Sequence, residues 1–389
     1  MTLKIQTSTP LRIVPVSGKV DLAEFIRLPA AIFKDDPHWI PPLFLERKIH
    51  LSPKHNPYFQ HAKSQFWLAW RGDVVVGRIS AQVDQMHLAQ HHDAIGFFGM
   101  LDAEDNQETF AALMATAEQW LAEQGMRHVR GPFNLSINEE MGLLIDGFAD
   151  PPVFMMSHAL PYYREHIEQC GYHKAADTLA YLINPNFVKP PVMQRLLKMA
   201  SERVTVRTLD RSRFDEEIML LRDIFNDAWS DNWGFVPFTE AEFKALGQNL
   251  KFLLHEEYIQ IAEVDGEAAA FIIGMPNINE AISDLKGKLF PFGWLKLIWR
   301  LKIKGPASGR VPLLGVRKKF QKTRLGPGLA FLIIEDVRNE LHKRGAHRLE
   351  LSWILEDNAG MRNIIESIGG TAYKRYRVFE RDLLPSFLG

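Results

Sequence analysis

Apolar and polar positions run through this chain in two long blocks, and both blocks follow one order. From Gln65, FWLAWRGDVVVGRISAQVD holds two apolar runs of strand type around Arg71-Gly72-Asp73, a hairpin pattern. IGFFGMLDAE follows as a third strand, and residues 107–124 carry Phe110, Met114, Ala117 and Leu121 on one helical stripe. Gly125 stands where a helix C-cap belongs, MRHVRGPF reads as a fourth strand, and LPYYREHIEQCGY is again helical. In the second block EYIQIAEVDGEAAAFIIGM forms a hairpin around Asp265-Gly266, and Leu313 to Val316 is the third strand. A helix over 328–343 places Ile333, Val337 and Leu341 at spacings of four, Gly345 caps it, and HRLELSWI is the fourth strand. Gly125 and Gly345 lie 220 residues apart, as do Asn138 and Asn358. Ahead of the second hairpin come a strand, VTVRTL, and helices around 214–229 and 239–252.

The repeat predicts two domains of one α/β type, each with a mixed sheet, over residues 1–190 and 191–389. INPNFVKPPV, with Pro185, Pro190 and Pro191, reads as the linker. Residues 1–60 read as irregular: prolines at 37, 41, 42, 53 and 57 exclude a continuous helix, and the aromatic residues among them suit a wrap on a surface.

Composition changes this picture little. With 389 residues, 46% hydrophobic and 24% charged, the chain is of ordinary globular type, and a net charge of −1 argues against a nucleic-acid partner. The lone Cys170 excludes an internal disulfide and fits a reducing compartment. MTLKIQTSTPLRIV lacks an apolar signal-peptide core, and no stretch reaches membrane-spanning length, so the expected location is cytoplasmic. Charge is uneven, however: from Asp284 to Arg324 there are twelve lysines and arginines against one acid. Half of these fall in an insertion, 284–304, containing LKGKLFPFGWLKLIWRLKIK. As a helix it places Lys296, Arg300 and Lys304 on one line opposite Trp294, Ile298 and Leu301, a pattern suited to an anionic membrane surface and a peripheral place on the inner face.

All but one of the other six, Lys318, Lys319, Lys322 and Arg324 among them, lie in the turn between Val316 and the following helix. A helix N-terminus carries unpaired N–H groups and partial positive charge, so this turn suits a phosphate. The residues here resemble the acyl-CoA loop of the GNAT N-acyltransferases: Gln321, Arg324 and Gly326 occupy its motif positions, arginine standing for the first glycine, with Pro327 and Gly328 opening the helix. The next GNAT segment is matched by Asn358 and the helix ending at Gly369-Gly370. Whole segments, among them DDPHWIPPL, FNLSINEEMGLLIDGFADPPVFMM and FNDAWSDNWGFVPFTEAEF, resemble the bacterial ceramide synthase-like branch of tandem GNAT proteins.

That resemblance implies transfer of an acyl group from acyl-CoA, a co-substrate, to the amine of a sphingoid-base-like lipid or other small acceptor. It places CoA on Leu314, Gly315, Val316, Gln321, Lys322, Arg324, Gly326, Gly328 and Asn358, with a backbone N–H of the 314–316 strand meeting the thioester carbonyl. Ile365 stands where the family often has its acidic tyrosine, leaving Tyr373 or Tyr376 as substitutes. For the base, Glu356 and Asp357 end the fourth strand, and Glu139 and Glu140 hold the corresponding place in the first half. Asn134, Asn138, Asn232 and Trp233 are expected at the acceptor, near Asn226, Trp229 and Phe235. The first half has LDAEDNQET in place of the basic loop, which would repel a pyrophosphate, so only the second is expected to bind CoA in the usual way. His91 and His92 lack a spaced third ligand, so no metal is expected. Two other readings remain open: a non-catalytic GNAT-fold binding or regulatory protein, and an aminoacyl-tRNA-dependent transferase.

Overall fold

The computed structural model describes residues 9–251 and 255–383 and divides into two compact units. The first comprises the chain up to Pro151, Met156–Asp177 and the chain from Tyr376; the second comprises Pro152–Met155 and Thr178–Arg375. Residues 1–8, the start of the stretch read for a signal peptide, lie outside the described residues.

The first unit contains β1 (Leu11–Pro15), α1 (Gly18–Arg27), α2 (Pro29–Ile32), α3 (Phe44–His50), β2 (Ala62–Arg71), β3 (Val74–Asp84), α4 (Gln85–His91), β4 (Ile95–Ala103) and α5 (Gln107–Glu123). After these come β5 (His128–Gly131), β6 (Phe133–Asn134), β7 (Glu140–Met141), β8 (Leu143–Asp146), α6 (Tyr162–Gln169) and the start of β9 (His173–Ile183). Strands β1 to β4 are antiparallel neighbours, and β4 and β5 run parallel on either side of α5, which crosses over between them. The helix forms where the stripe placed it: Asn106 caps it by accepting from the Glu108 N–H, and Phe110, Leu113, Met114, Ala117 and Leu121 are buried. Along the outer edge of β5 lies a strand from the far end of the chain, paired from Phe379↔Gly131 to Asp382↔His128.

The second unit holds the end of β9, then α7 (Pro191–Ala200), β10 (Val204–Thr208), α8 (Phe214–Trp229), α9 (Glu240–Leu250), β11 (Ile259–Val264) and β12 (Glu267–Pro276). It continues with α10 (Ile278–Ile282), α11 (Gly293–Trp299), β13 (Ser308–Val316), α12 (Lys318–Gln321), α13 (Leu325–Lys343), β14 (Arg348–Leu355), α14 (Ala359–Ser367) and the start of β15 (Thr371–Asp382). Strands β10 to β13 are antiparallel neighbours, and β13 and β14 are parallel across α13. The end of β9 closes this sheet antiparallel to β14, from Leu349↔Ile183 to Leu355↔Thr178. Phe214, Ile218, Leu221 and Phe225 of α8 pack on Ile259, Ile261 and Phe271 of the sheet. The two units are thus tandem GNAT-like α/β domains, each an antiparallel run, a parallel pair bridged by a helix, and a closing strand.

Two expectations are corrected. Residues 1–60 are not irregular: β1 pairs with β2 from Leu11↔Arg71, α1 buries Phe25 and Ile26, and α3 fits between Pro42 and Pro53. These helices are too short for a periodic stripe to stand out. The place expected for a division, residue 190, lies inside the second unit, because Thr178–Ile183 is one of its strands and Pro191 begins α7. Among the described residues no helix is long and apolar enough to cross a membrane.

Candidate active site

A fork opens in the second unit between β13 and β14. The two strands pair in parallel from Ser308↔Arg348 to Val311↔Leu351; beyond that β13 pairs with β12, and β14 with β9. Each strand carries one extra residue at the parting point. Between Arg310↔Met275 and Leu313↔Ile273, β13 advances three residues against two, and between Leu351↔Tyr181 and Ile354↔Leu179, β14 does the same. Such bulges bend a strand and increase its twist, which is how two neighbouring strands are driven apart.

At the base of the fork Arg310 and Glu350 are register partners, 0% and 1% exposed. The Glu350 carboxylate accepts from the Ser352 hydroxyl at 2.5 Å and from the Tyr373 hydroxyl. Arg310 donates to Ser352 Oγ at 3.0 Å and to the Phe154 and Met155 carbonyls at 2.9 and 3.3 Å, and its guanidinium lies 5.0 Å from the centre of the Trp353 ring. Tyr373 is therefore tied to a buried carboxylate. Sequence reasoning missed Arg310, Glu350 and Ser352; the available signal was one arginine and one glutamate inside otherwise apolar strands.

The basic turn begins where β13 ends. Its shape is held by side-chain bonds to backbone: the Asp227 carboxylate accepts from the Lys318 N–H at 2.8 Å, and Gln321 Nε2 donates to the Val316 and Ala228 carbonyls at 2.8 and 3.0 Å. Gln321 is thereby engaged with the protein itself. Gly326 is demanded by close approach, since a Cβ there would stand 2.6 Å from the Phe320 carbonyl oxygen and 2.8 Å from that of Gln321. Gly328 serves another purpose: a Cβ there would meet Ala200 Cβ at 2.8 Å, so this glycine lets α13 lie against α7. The four cations separate into two kinds. Lys318 pairs with Asp231 and Lys319 with Glu267, whereas Lys322 and Arg324 are exposed and have no side-chain partner among the described residues. Two unneutralised cations thus stand directly ahead of the first turn of α13.

The remaining candidates of this unit are spread over neighbouring elements. Leu314 offers its carbonyl to the Trp229 indole N–H at 3.2 Å, and Gly315 is packed against Phe271 and Ala228. Glu356 is half-buried, 3.3 Å from Arg375; Asp357 is exposed; Asn358 caps α14 by accepting from the Met361 N–H at 3.0 Å. Ile365 is buried among Leu179 and Tyr181. Asn232 and Trp233 sit half-buried in the turn after α8. Asn226 instead brackets Phe238, donating to its carbonyl at 3.2 Å and accepting from its N–H at 3.0 Å, and Phe235 is core.

The corresponding fork of the first unit is filled. Strands β4 and β5 pair only from Ile95↔His128 to Phe97↔Arg130, but the Phe133 carbonyl oxygen lies 1.7 Å from where a Cβ on Gly99 would be, and the Met100 N–H donates to Asn134 Oδ1 at 2.8 Å. Asn134 Nδ2 donates to Glu140 at 2.8 Å, so both ends of this amide are engaged. Around the start of α5, Glu104 and Glu108 bind Arg71, and Asp105 lies 2.7 Å from His166. Asn138 sits in the turn between β6 and β7, its N–H donating to Ser136 Oγ, and is no helix cap despite its spacing from Asn358.

Close by, His50 Nε2 lies 2.6 Å from Glu139, and Arg47 lies between Glu46 and Glu140 at 2.6 and 3.2 Å. Burial pushes the His50 imidazole down, but the attraction of Glu139 prevails and holds it above its ordinary value. Burial likewise pushes the Glu140 carboxyl up, yet Arg47 and the Asn134 amide leave it below the usual range. Among the described residues no group of three or more His, Cys, Asp or Glu is arranged to hold a metal ion.

Comparison with known proteins agrees with this fold. The chain is 50% identical over 367 residues to protein YghO of Escherichia coli, covering 94% of each. It is 48% identical over 379 residues to the bacterial ceramide synthase of Caulobacter vibrioides, covering 97% of this chain and 99% of that one. Among solved structures, a tandem GNAT protein from the clavulanic acid biosynthesis pathway aligns with a TM-score of 0.57 at 13% identity, over 97% of this chain and 99% of the other. A GCN5-related N-acetyltransferase from Sphaerobacter thermophilus aligns at 0.54 with 14% identity, over 97% and 98%. No family model matches the chain.

Proposed function

The chain belongs to the tandem GNAT-fold family that contains the bacterial ceramide synthase and protein YghO, and on that premise we propose that it is an acyl-CoA-dependent N-acyltransferase acting on a long-chain lipid amine. The observation that carries this reading is the parting of β13 from β14 beyond Val311, beside a helix N-terminus at which Lys322 and Arg324 have no side-chain partner among the described residues. In this reading those cations hold the CoA pyrophosphate at the start of α13, where the Leu325 and Gly326 N–H groups already donate to Thr323 and Pro327 has none, and the edge of β13 beyond Val311 offers an N–H to the thioester carbonyl. The deprotonated amine attacks the carbonyl carbon, an amide forms, and the C–S bond breaks to release CoA. Glu356 or Asp357, at the end of β14, takes the proton from the ammonium, and Tyr373, turning its hydroxyl from Glu350, is the candidate acid for the leaving sulfur. A thiol with a pKa near about 8.5 leaves readily, so little acid assistance is needed.

The test is incubation of the purified protein with long-chain acyl-CoAs, with and without a sphingoid base, following free thiol and the N-acyl product by mass spectrometry. Amine-dependent thiol release with matching product is expected; its absence across chain lengths sinks the reading. The burial of Ile365, where the family often has a tyrosine, favours one second reading, a non-catalytic acyl-CoA-binding protein. It requires binding of CoA without turnover.

A further inference from the structure

We propose that the insertion from Asp284 to Lys304 is a docking surface for an anionic lipid bilayer. The inference stands on the outward face of this segment and on no step of the reaction. The segment folds as α11 followed by a π-helical turn, Arg300–Lys304, anchored by the buried Leu285, Leu297 and Leu301. Lys296 and Arg300 both pair with Asp284, at 3.3 and 2.5 Å, Lys296 remaining exposed, and Arg300 also donates to the Ala281 carbonyl at 2.7 Å.

Much of what faces solvent is apolar. Phe292 is 69% exposed, Phe290 67%, Ile303 73% and Trp299 51%, with Leu295 and Ile298 beside them. Seven of the fourteen exposed large hydrophobic side chains among the described residues lie between Phe290 and Ile303, including all the aromatic ones, so this is a patch and not scatter. Its polar groups are provided for from within. The Trp294 indole N–H donates to the Pro291 carbonyl at 3.0 Å, and the segment's one acid, Asp284, is neutralised by the two cations on it. A surface entering the hydrocarbon boundary needs its polar groups paired internally. Lys286, Lys288 and Lys304 are exposed and have no partner among the described residues, which supplies the charge complementary to anionic headgroups. The same three lysines disfavour a second copy as occupant, since a two-fold contact through this patch would set like charges together.

The experiment is co-sedimentation of the full chain with vesicles of phosphatidylcholine alone and of phosphatidylcholine mixed equally with phosphatidylglycerol, at low and high salt. Binding to the mixed vesicles, weakened by salt, is expected. Phe292→Glu with Trp299→Glu should weaken it at least about tenfold with an unchanged melting temperature, because both side chains are already exposed. Lys288→Glu with Lys304→Glu, which leaves the apolar anchors intact, should lower affinity by about fivefold or more per residue and remove most of the salt dependence. The proposal is overturned if the wild type stays in solution with the mixed vesicles, or if both double variants bind as it does. It is equally overturned if sedimentation velocity shows a dimer that Phe292→Glu with Trp299→Glu dissociates.

Discussion

Two of the four cations ahead of α13 are neutralised by acids of their own unit and two are not, so their loss should differ in effect. Lys322→Ala with Arg324→Ala should raise the KM for acyl-CoA roughly tenfold or more, the scale of one or two charge-assisted hydrogen bonds, without shifting the melting temperature. Lys318→Ala with Lys319→Ala should move KM much less. Sequence alone could not divide the four, because Asp231 and Glu267 are brought to Lys318 and Lys319 only by the fold. The same holds for Gln321, whose amide is taken by two carbonyls. At the base of the fork, Tyr373→Phe removes one donor from a buried carboxylate and should cost about 1–3 kcal/mol in urea unfolding. A fall in kcat larger than the Ser352→Ala variant shows would mark it as acting on the reaction as well as on Glu350. In the first unit, the raised value of His50 means that its protonated form favours the folded state. That stabilisation is complete below about pH 6.5 and lost as pH rises through the raised value. The melting temperature of wild type over His50→Gln should therefore narrow between neutral and alkaline pH.

At the scale of elements, long regular patterns were legible and short or reoriented ones were not. The stripes of α5 and α13 and both hairpins lie where periodicity places them, because each buries one face over several turns or alternates over a full strand. The ten-residue α1 and α7 escaped, the second because a proline pair reads as linker although proline suits a first helical turn. The insertion was identified as amphipathic, but a wheel cannot know that Asp284 pairs with Lys296 and Arg300. The two glycines opening α13 make a paired prediction. Gly326→Ala crowds two backbone carbonyls of the basic turn and should raise KM for acyl-CoA. Gly328→Ala crowds α7 and should instead lower unfolding free energy by about 1–3 kcal/mol with KM little changed. Guanidinium unfolding and steady-state kinetics on both variants separate the roles.

For the whole molecule, the repeat at 220 residues was readable, and the tandem GNAT-like fold follows from it. The assignment of closing strands was not. A strand's alternation says which face is buried and nothing about which neighbour it joins, and the division at residue 190 left the segments of β9 and β15 each wholly in its own half. In the structure the chain passes into the second unit within β9 and back into the first within β15. A chain of residues 191–389 therefore lacks Thr178–Ile183, the partner of β14, and keeps Tyr376–Asp382 without β5. Expressed alone it should be insoluble, or lack a cooperative thermal transition by calorimetry, where the full chain has one. The same reciprocity bears on birth at the ribosome. Domains usually fold as they emerge, amino-terminal first, but here the sheet of the first unit waits for Phe379 to Asp382, which are made roughly 250 residues after β5. At about 5–20 residues per second that is a delay of roughly ten to fifty seconds. Throughout it the rim of β5 is an open template for any passing strand, so the nascent polypeptide is a natural client for a holding chaperone.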